Sequence, residues 1–378
     1  MYIFKLVFIA ISIILISCVN DNNQPKTDDF STLSVKQFAQ HYPSKNPDVA
    51  ILLKKLRSLT ALSKLDTNSS QQALNIISWQ IENGGFGLHE IEPYEKLWDG
   101  SQPRSEWRKD GEDIANFDDG ATVSELRFIA EVYRNIGNKK HKQVINKSFQ
   151  KGIKFILKAQ NMNGGWPQVW PAYYPEDNPR NYTNYTTLND GAMIRNMVLL
   201  SDIIAKHPPF DTDIVKGVNS KDVLSRLKLG VNHLLNAQIT SQGLRTIWPA
   251  QFDPLTYQPK AARSFELAAK TTRESVGVLS YLMNWPEKNT KVKESIDSAV
   301  QWYKKNQIKN LKLLNGDIVS AQNKVLWYRF YELDSDKPFF TGRDGIKRYQ
   351  LSKIEEERRK GYGWAGNWAK PILRATQP

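Results

Sequence analysis

The chain of 378 residues contains one cysteine, Cys18, so no intrachain disulfide can support the fold. It has no dense lysine and arginine tract and no known nucleic-acid-binding motif. No nucleic-acid partner is therefore expected, although 52 Lys+Arg against 39 Asp+Glu give a formal charge of +13. A membrane surface, a polyanionic sugar or a merely solvated surface remains to account for that excess. Long hydrophobic runs are also scarce. The one at the N-terminus, MYIFKLVFIAISIILIS, is short for a membrane span. No series of alternating strand patterns breaks up the helical segments. What is abundant is apolar and aromatic residues, 40% and 11% of the chain, enough for a substantial core.

The N-terminal run has a short basic start and ends Leu15-Ile16-Ser17-Cys18. It resembles a bacterial lipoprotein signal, in which the cysteine is lipidated and becomes the first residue. A small residue directly before the sole cysteine favours this over an ordinary signal peptide or a membrane anchor. The expected division is a signal peptide over 1–17, a polar tether over 18–31 and a single domain over 32–378. The expected location is the outer membrane, lipid-anchored on its periplasmic or outer face.

The chain is organised around Asn163–Met193, NGGWPQVWPAYYPEDNPRNYTNYTTLNDGAM. Apolar residues at helical spacing flank it, in Gly152–Gln160 and Met193–Ile204. A connection this long and this rich in Gly, Pro and aromatics is expected to be an ordered binding loop. Its flanks recur. Trp79-Gln80-Ile81-Glu82-Asn83-Gly84-Gly85-Phe86 resembles Ala159-Gln160-Asn161-Met162-Asn163-Gly164-Gly165-Trp166, and Ala237-Gln238 opens a looser third copy. The glutamines are spaced by 80 and 78 residues. A second helix start follows each copy, at Phe117-Asp118-Asp119-Gly120, Leu188-Asn189-Asp190-Gly191 and Thr272-Arg273-Glu274-Ser275. Helix–loop–helix units at such a period predict a repeat architecture. The expected fold class is all-α, an (α/α) toroid of helical hairpins with its long loops gathered at one end.

Three constellations are candidates for chemistry. Asp118, Asp119 and Asp190 stand at helix starts. Ordinary N-capping would explain one aspartate per helix; a pair followed by a third at the equivalent place also suits a hard cation such as calcium. Lys260 and Arg263 lie in KAARSFE, and Arg329, Tyr331 and Arg343 lie in a C-terminal stretch dense in aromatics. Surface salt bridges and packing would account for each of these singly. Together, guanidinium forks and aromatic faces suit a carboxylated sugar chain.

These motifs, in this order, resemble polysaccharide lyase family 10, pectate lyases with an (α/α)-toroid fold. The resemblance runs from Gly84-Gly85-Phe86 through Gly164-Gly165-Trp166-Pro167-Gln168 and Ala262-Arg263-Ser264-Phe265-Glu266 to Gly361-Tyr362-Gly363-Trp364. It implies calcium-assisted β-elimination of α-1,4-polygalacturonate. Asp118, Asp119 and Asp190 would hold calcium, with Asp118 and Asp190 also at the substrate carboxylate. Arg263 would be the base at C5, and Arg329 and Arg343 would bind galacturonate carboxylates. Lys260 is the rival base on chemical grounds, because a lysine pKa shifts more readily, and Lys260, Trp166 and Tyr331 are further candidate substrate contacts. Asp119 and Ala365 depart from the family pattern, which usually has Asn and often Tyr there. The implied partners are polygalacturonate, or oligogalacturonides, and a membrane through the Cys18 lipid; a monomer is expected. Two other classes compete: a non-catalytic glycan-binding lipoprotein, and a glycoside hydrolase using two carboxylic acids.

Overall fold

The computed structural model describes residues 30, 32–59, 62, 64–88, 94–171 and 173–377. The expected signal peptide and Cys18, and nearly all of the expected tether, lie outside the described residues. No helix among the described residues is long and apolar enough to cross a membrane.

Eleven helices are described: α1 Val35–His41, α2 Pro47–Leu56, α3 Ser70–Ser78, α4 Val123–Asn135, α5 Lys139–Ala159, α6 Ala192–Ile204, α7 Ser220–Ala237, α8 Thr272–Asn284, α9 Thr290–Lys305, α10 Glu356–Gly361 and α11 Lys370–Ala375. The pairs α4–α5, α6–α7 and α8–α9 are the repeated hairpins, and α4, α6, α8 and α2 pack side by side as an inner layer. Sequence dictates which helix is inner. α6 (AMIRNMVLLSDII) is apolar around nearly its whole circumference and almost entirely buried, whereas α5, α7 and α9 carry one apolar stripe against charged outer faces. Their N-termini are capped by Asn138, Asn219 and Asn289, each accepting from main-chain amides of the first turn. A fully buried Asp202 on α6 ties the inner layer together, receiving Arg57 from the end of α2 and Arg127 from α4, each at 2.7 Å. Removing Asp202 would leave the two guanidinium groups facing each other without a counter-charge, which costs several kcal/mol.

The repeated glutamines explain the period. Gln80 Nε2 donates to Gly84 O in its own turn and to Ser148 O on α5. Gln160 does the same with Gly164 O and Arg226 O on α7, and Gln238 with Thr246 O and Ser295 O on α9. Each therefore stitches the end of one unit to the outer helix of the next. Gly84 and Gly164 have φ of 108° and 102°, and a Cβ would lie 2.5 and 2.4 Å from the main-chain oxygens of Lys151 and Leu229. Both positions accordingly require glycine.

The all-α expectation is overturned. The chain is mixed, with strands in the loops and most of its strand residues in the segment that follows α9. Short antiparallel pairs fasten the long loops: Ala115–Asn116 with Val169–Trp170, and Thr186–Thr187 with Gln251–Phe252. A long hairpin joins Ile308–Leu314 to Asp317–Tyr328. Its turn is Asn315-Gly316, with φ of 49° and 84°, the left-handed pair that a two-residue hairpin turn needs. A four-stranded sheet orders Lys347–Arg348, Pro338–Thr341, Phe330–Tyr331 and Lys270–Thr271. It packs on its own core of Phe330, Phe339, Phe340 and Trp364.

Candidate active site

The two aspartate turns sit at equivalent ends of α4 and α6 and touch each other. In each, the last helical-turn amide donates to a residue three back: Ala121 N to Asp118 O, and Ala192 N to Asn189 O. Asp118 is therefore the counterpart of Asn189, and Asp119 the counterpart of Asp190. The second pair shares an unusual left-handed backbone, φ 47° and 48°, which aspartate tolerates better than most residues.

Strand pairing brings the turns to the same place. Phe117 N donates to Gln168 O, and Leu188 N to Ala250 O. Gln168 also donates from Nε2 to Asp118 Oδ2 at 2.9 Å. Burial, then the charges of Asp190 and Asp119, push the Asp118 carboxyl up to about 7. Burial and Asp190 raise Asp119 likewise. Asp190 differs in having a cation at contact distance: Arg273, from the first turn of α8, reaches Oδ1 at 3.0 Å. Arg195 lies alongside, anchored to the main-chain oxygens of Asp190, Leu56 and Ser58.

Across from the acids, Arg263 is exposed and held at both ends by Glu266, Nε at 2.8 Å and Nη2 at 2.7 Å. That pairing raises the guanidinium pKa further, against the pull of burial. Tyr362 Oη also donates to Glu266, at 2.7 Å, so the glutamate is fixed from two sides. Tyr182 lies near both Arg263 and Asp118, and its burial pushes the phenol up. Arg329 is buried. It donates to Glu274 at 2.5 Å and to Asn189 Oδ1 at 3.2 Å, so it supports the second aspartate turn from below. Burial alone would lower its pKa; the charges of Glu274, Tyr362, Asp190 and Glu266 together raise it instead. Arg343 is exposed, stands over the Phe265 ring with Arg263, and pairs with Glu357.

The structure thus brings together Asp118, Asp119, Asp190, Arg263 and Arg329, with Arg343 beside them. Lys260 lies at the rim, 3.9 Å from Asp253 and over the Tyr185 ring. Trp166 and Tyr331 do not line a cleft. Trp166 is fully buried, its Nε1 donating to Ile156 O, and Tyr331 is buried against Trp302 with its hydroxyl accepting from Tyr328 N. Their aromatic bulk belongs to the core, the commoner fate of such residues. Glu266, Tyr362, Tyr182, Arg195 and Arg273 were not singled out from the sequence, although Glu266 lies three residues after Arg263. Among the described residues no group of three or more acids, histidines or cysteines already converges as a metal site. The three aspartates and neighbouring amides still offer hard oxygen donors, and the crowding that raises Asp118 is what a divalent cation would relieve.

Three aspartates gathered with Arg263, Arg273 and Arg329 suit an enzyme acting on an anionic sugar chain, and the comparisons agree. Two solved structures of a family 10 polysaccharide lyase from Cellvibrio cellulosa superpose with TM-scores of 0.71. One is free. The other is an aspartate-to-alanine mutant in complex with trigalacturonic acid. They are 29% and 28% identical to this chain, cover 90% of it, and are themselves covered over 96% and 97%. The comparison with curated proteins gives no significant match. Residues 80–373 match the pectic acid lyase family. The chain belongs to that family: it is a polysaccharide lyase, a pectate lyase.

Proposed function

We propose that the enzyme cleaves α-1,4-polygalacturonate by calcium-assisted β-elimination, leaving 4,5-unsaturated oligogalacturonides. The observation that carries this is the crowding of Asp118, Asp119 and Asp190 opposite Arg263. Asp118, Asp119 and Asp190 would hold the calcium ion. Calcium there would supply Lewis-acid neutralisation of a uronate carboxylate next to the acidic C5.

The chain's own groups account for the rest. The carboxylate beside C5 gains negative charge as the C5 proton leaves, and Arg329 and Arg273 lie behind Asn189 and Asp190 to offset it. Arg263 takes the proton. Glu266 orients its guanidinium but also holds it protonated, so Arg263 can accept the C5 proton only after the pair has parted and the guanidinium has given its own proton to solvent. Lys260, at the rim, is the rival base. Arg343 binds a neighbouring uronate through its planar fork. Cys18, by its sequence context, would carry a lipid that anchors a monomer to the outer membrane, on its periplasmic or outer face.

The test is the ultraviolet absorbance of the unsaturated product on adding polygalacturonate with calcium, with and without chelator, from pH 7 to 10. Hydrolysis creates no double bond, so reducing ends released without absorbance would replace this reading by a glycoside hydrolase. Binding without turnover would replace it by a glycan-binding protein. Comparing the pH–rate profiles of Arg263→Lys and Lys260→Gln identifies the base: a general base sets the limb along which the rate rises with pH, so the variant in which that limb moves or disappears marks it. Incorporation of labelled fatty acid, absent in Cys18→Ser, checks the anchor.

A further inference from the structure

The inner helices have two ends of different character. The N-terminal ends of α4, α6 and α8 carry the aspartate turns and Arg273, so they form the catalytic end. Thirteen residues of helix then take each inner helix about 20 Å away from it. The α4–α5, α6–α7 and α8–α9 connections lie at the far end. Arg134, beside the first, meets Asp211 in the second at 3.0 Å. Ser201 Oγ lies 2.9 Å from Tyr281 Oη near the last turns of α6 and α8, so these connections share one face. The N-terminal segment covers that face. Ser44 N donates to Asn284 Oδ1 in the last turn of α8, and Phe30 and Phe38 pack edge-on against Trp285, which ends that helix.

This far face is basic. Residues 134–142, the α4–α5 connection and first turn of α5, hold one arginine and three lysines and no acid. Residues 32–45 of the covering segment hold two lysines and no acid. Residues 286–293, between α8 and α9, hold three lysines against one glutamate. The acids of the α6–α7 connection are already met: Asp211 by Arg134, and Asp213 by Lys216 at 3.8 Å. By contrast, Lys36, Lys45, Lys139, Lys140, Lys206 and Lys293 are exposed, and none has an ion pair among the described residues. A sugar chain bound at the aspartates and Arg263 lies at the other end of the helices from them. The chain's own course points to a different polyanion. Phe30 is fully buried in this face, and eleven residues separate it from Cys18. That stretch reaches at most about 40 Å when fully extended. A lipid on Cys18 would therefore hold the basic end, and not the active site, near the bilayer.

We propose that this end of the molecule is a docking surface for anionic phospholipid headgroups, which turns the active site away from the membrane and towards the sugar chain. The proposal rests on the Cys18 anchor for the nearness of the bilayer; the lysines carry the docking itself. Near an anionic surface each lysine adds about fivefold to the affinity, within a Debye length of about 8 Å.

The lipidated protein, reconstituted on vesicles of phosphatidylcholine alone or of phosphatidylcholine with phosphatidylglycerol, tests this by brief acylation of its lysines and mass spectrometry. Phosphatidylglycerol should slow the modification of Lys139, Lys140 and Lys293 by about fivefold or more, and high salt should restore it. Lys260, at the rim of the active site, should react equally on both vesicles. In Lys139→Glu with Lys140→Glu, the protection of Lys293 should fall below about twofold. No protection on phosphatidylglycerol, protection that high salt or the double variant leaves intact, or protection of Lys260 instead would each overturn the docking surface. So would protection by soluble polygalacturonate and not by vesicles, which would assign these lysines to the sugar chain. The anchor is judged separately, by labelled fatty acid. A chain that incorporates none, yet is protected at the same lysines when phosphatidylglycerol vesicles are added, would lose the anchor and keep the docking surface.

Discussion

The turns that open α4 and α6 have the same backbone and opposite electrostatics. Both place an aspartate in a left-handed conformation before a glycine, Asp119 and Asp190. The first precedes its pair with Asp118, whose carboxyl is pushed up to about 7 by burial and by its acidic neighbours. The second has Asn189 there, and its aspartate meets Arg273 at 3.0 Å. The third repeat completes the pattern by substitution: at the matching helix start it has an arginine and no aspartate, and that arginine is the one that reaches Asp190. One repeat thus supplies uncompensated negative charge, one supplies a compensated carboxylate, and one supplies the cation. Repeats that share a backbone have divided a site between them, as functional sites grafted on a common frame do.

The largest expected effect breaks both turns. Asp118→Ala and Asp190→Ala should each lower kcat/KM on polygalacturonate by roughly 10²–10³-fold, the scale of removing a preorganised electrostatic group. Circular dichroism should show both variants folded. A variant with full activity would show that its turn contributes nothing to the reaction, and the two turns would no longer be halves of one site.

A subtler change makes the turns alike. Asp118→Asn converts Asp-Asp-Gly into the Asn-Asp-Gly of the second turn. It should weaken calcium binding, measured calorimetrically without substrate, by between about tenfold and a hundredfold, since affinity for hard cations follows the number of charged oxygen ligands. Asn189→Asp should act in the other direction. If calcium affinity ignores Asp118, the crowding there is a feature of folding and not of the metal.

Parts of this arrangement were legible in the sequence. The helices, the spacing of Gln80, Gln160 and Gln238, and the aspartates at helix starts all follow from local rules of periodicity and capping. The all-α expectation failed because those rules were applied to the helical repeats and not beyond them. Asn315-Gly316 between Leu311-Lys312-Leu313-Leu314 and Ile318-Val319 was a direct hairpin signal, and it joins the longest strands among the described residues. That Asp118 corresponds to Asn189, and not to Asp190, follows already from setting Phe117-Asp118-Asp119-Gly120 against Leu188-Asn189-Asp190-Gly191, and the hydrogen bonds that close the two turns agree. Other features had no local signature. That Trp166 serves the core follows from its partner, Ile156 O on the preceding helix. Nor could Arg273 be linked with Asp190, 83 residues away, since Arg273 occupies a position where the other repeats have acids or an amide.

The smallest expected effect concerns what lies beneath the turns. Gly85 in the first unit rests on Ala115 and Phe155, whereas Gly165 in the second rests on Thr186 and His233. Phe155 and His233 are 78 residues apart, the repeat spacing itself. The first unit is therefore apolar where the second holds an imidazole, whose Nε2 is 3.0 Å from Thr186 Oγ1. Burial lowers the His233 pKa to about 4. An unfolded histidine titrates near 6.5, so between these values the unfolded chain binds the extra proton. Stability contributed by the neutral imidazole is full above pH 6.5 and is lost as the pH falls towards 4, by roughly 1–2 kcal/mol at pH 5. Copying the first unit into the second, as Thr186→Ala with His233→Phe, should remove that component. The fall in melting temperature from pH 7 to pH 5 should then be smaller in the double variant than in the wild type. An identical fall in both would place the acid sensitivity elsewhere and leave the two units equivalent beneath their turns.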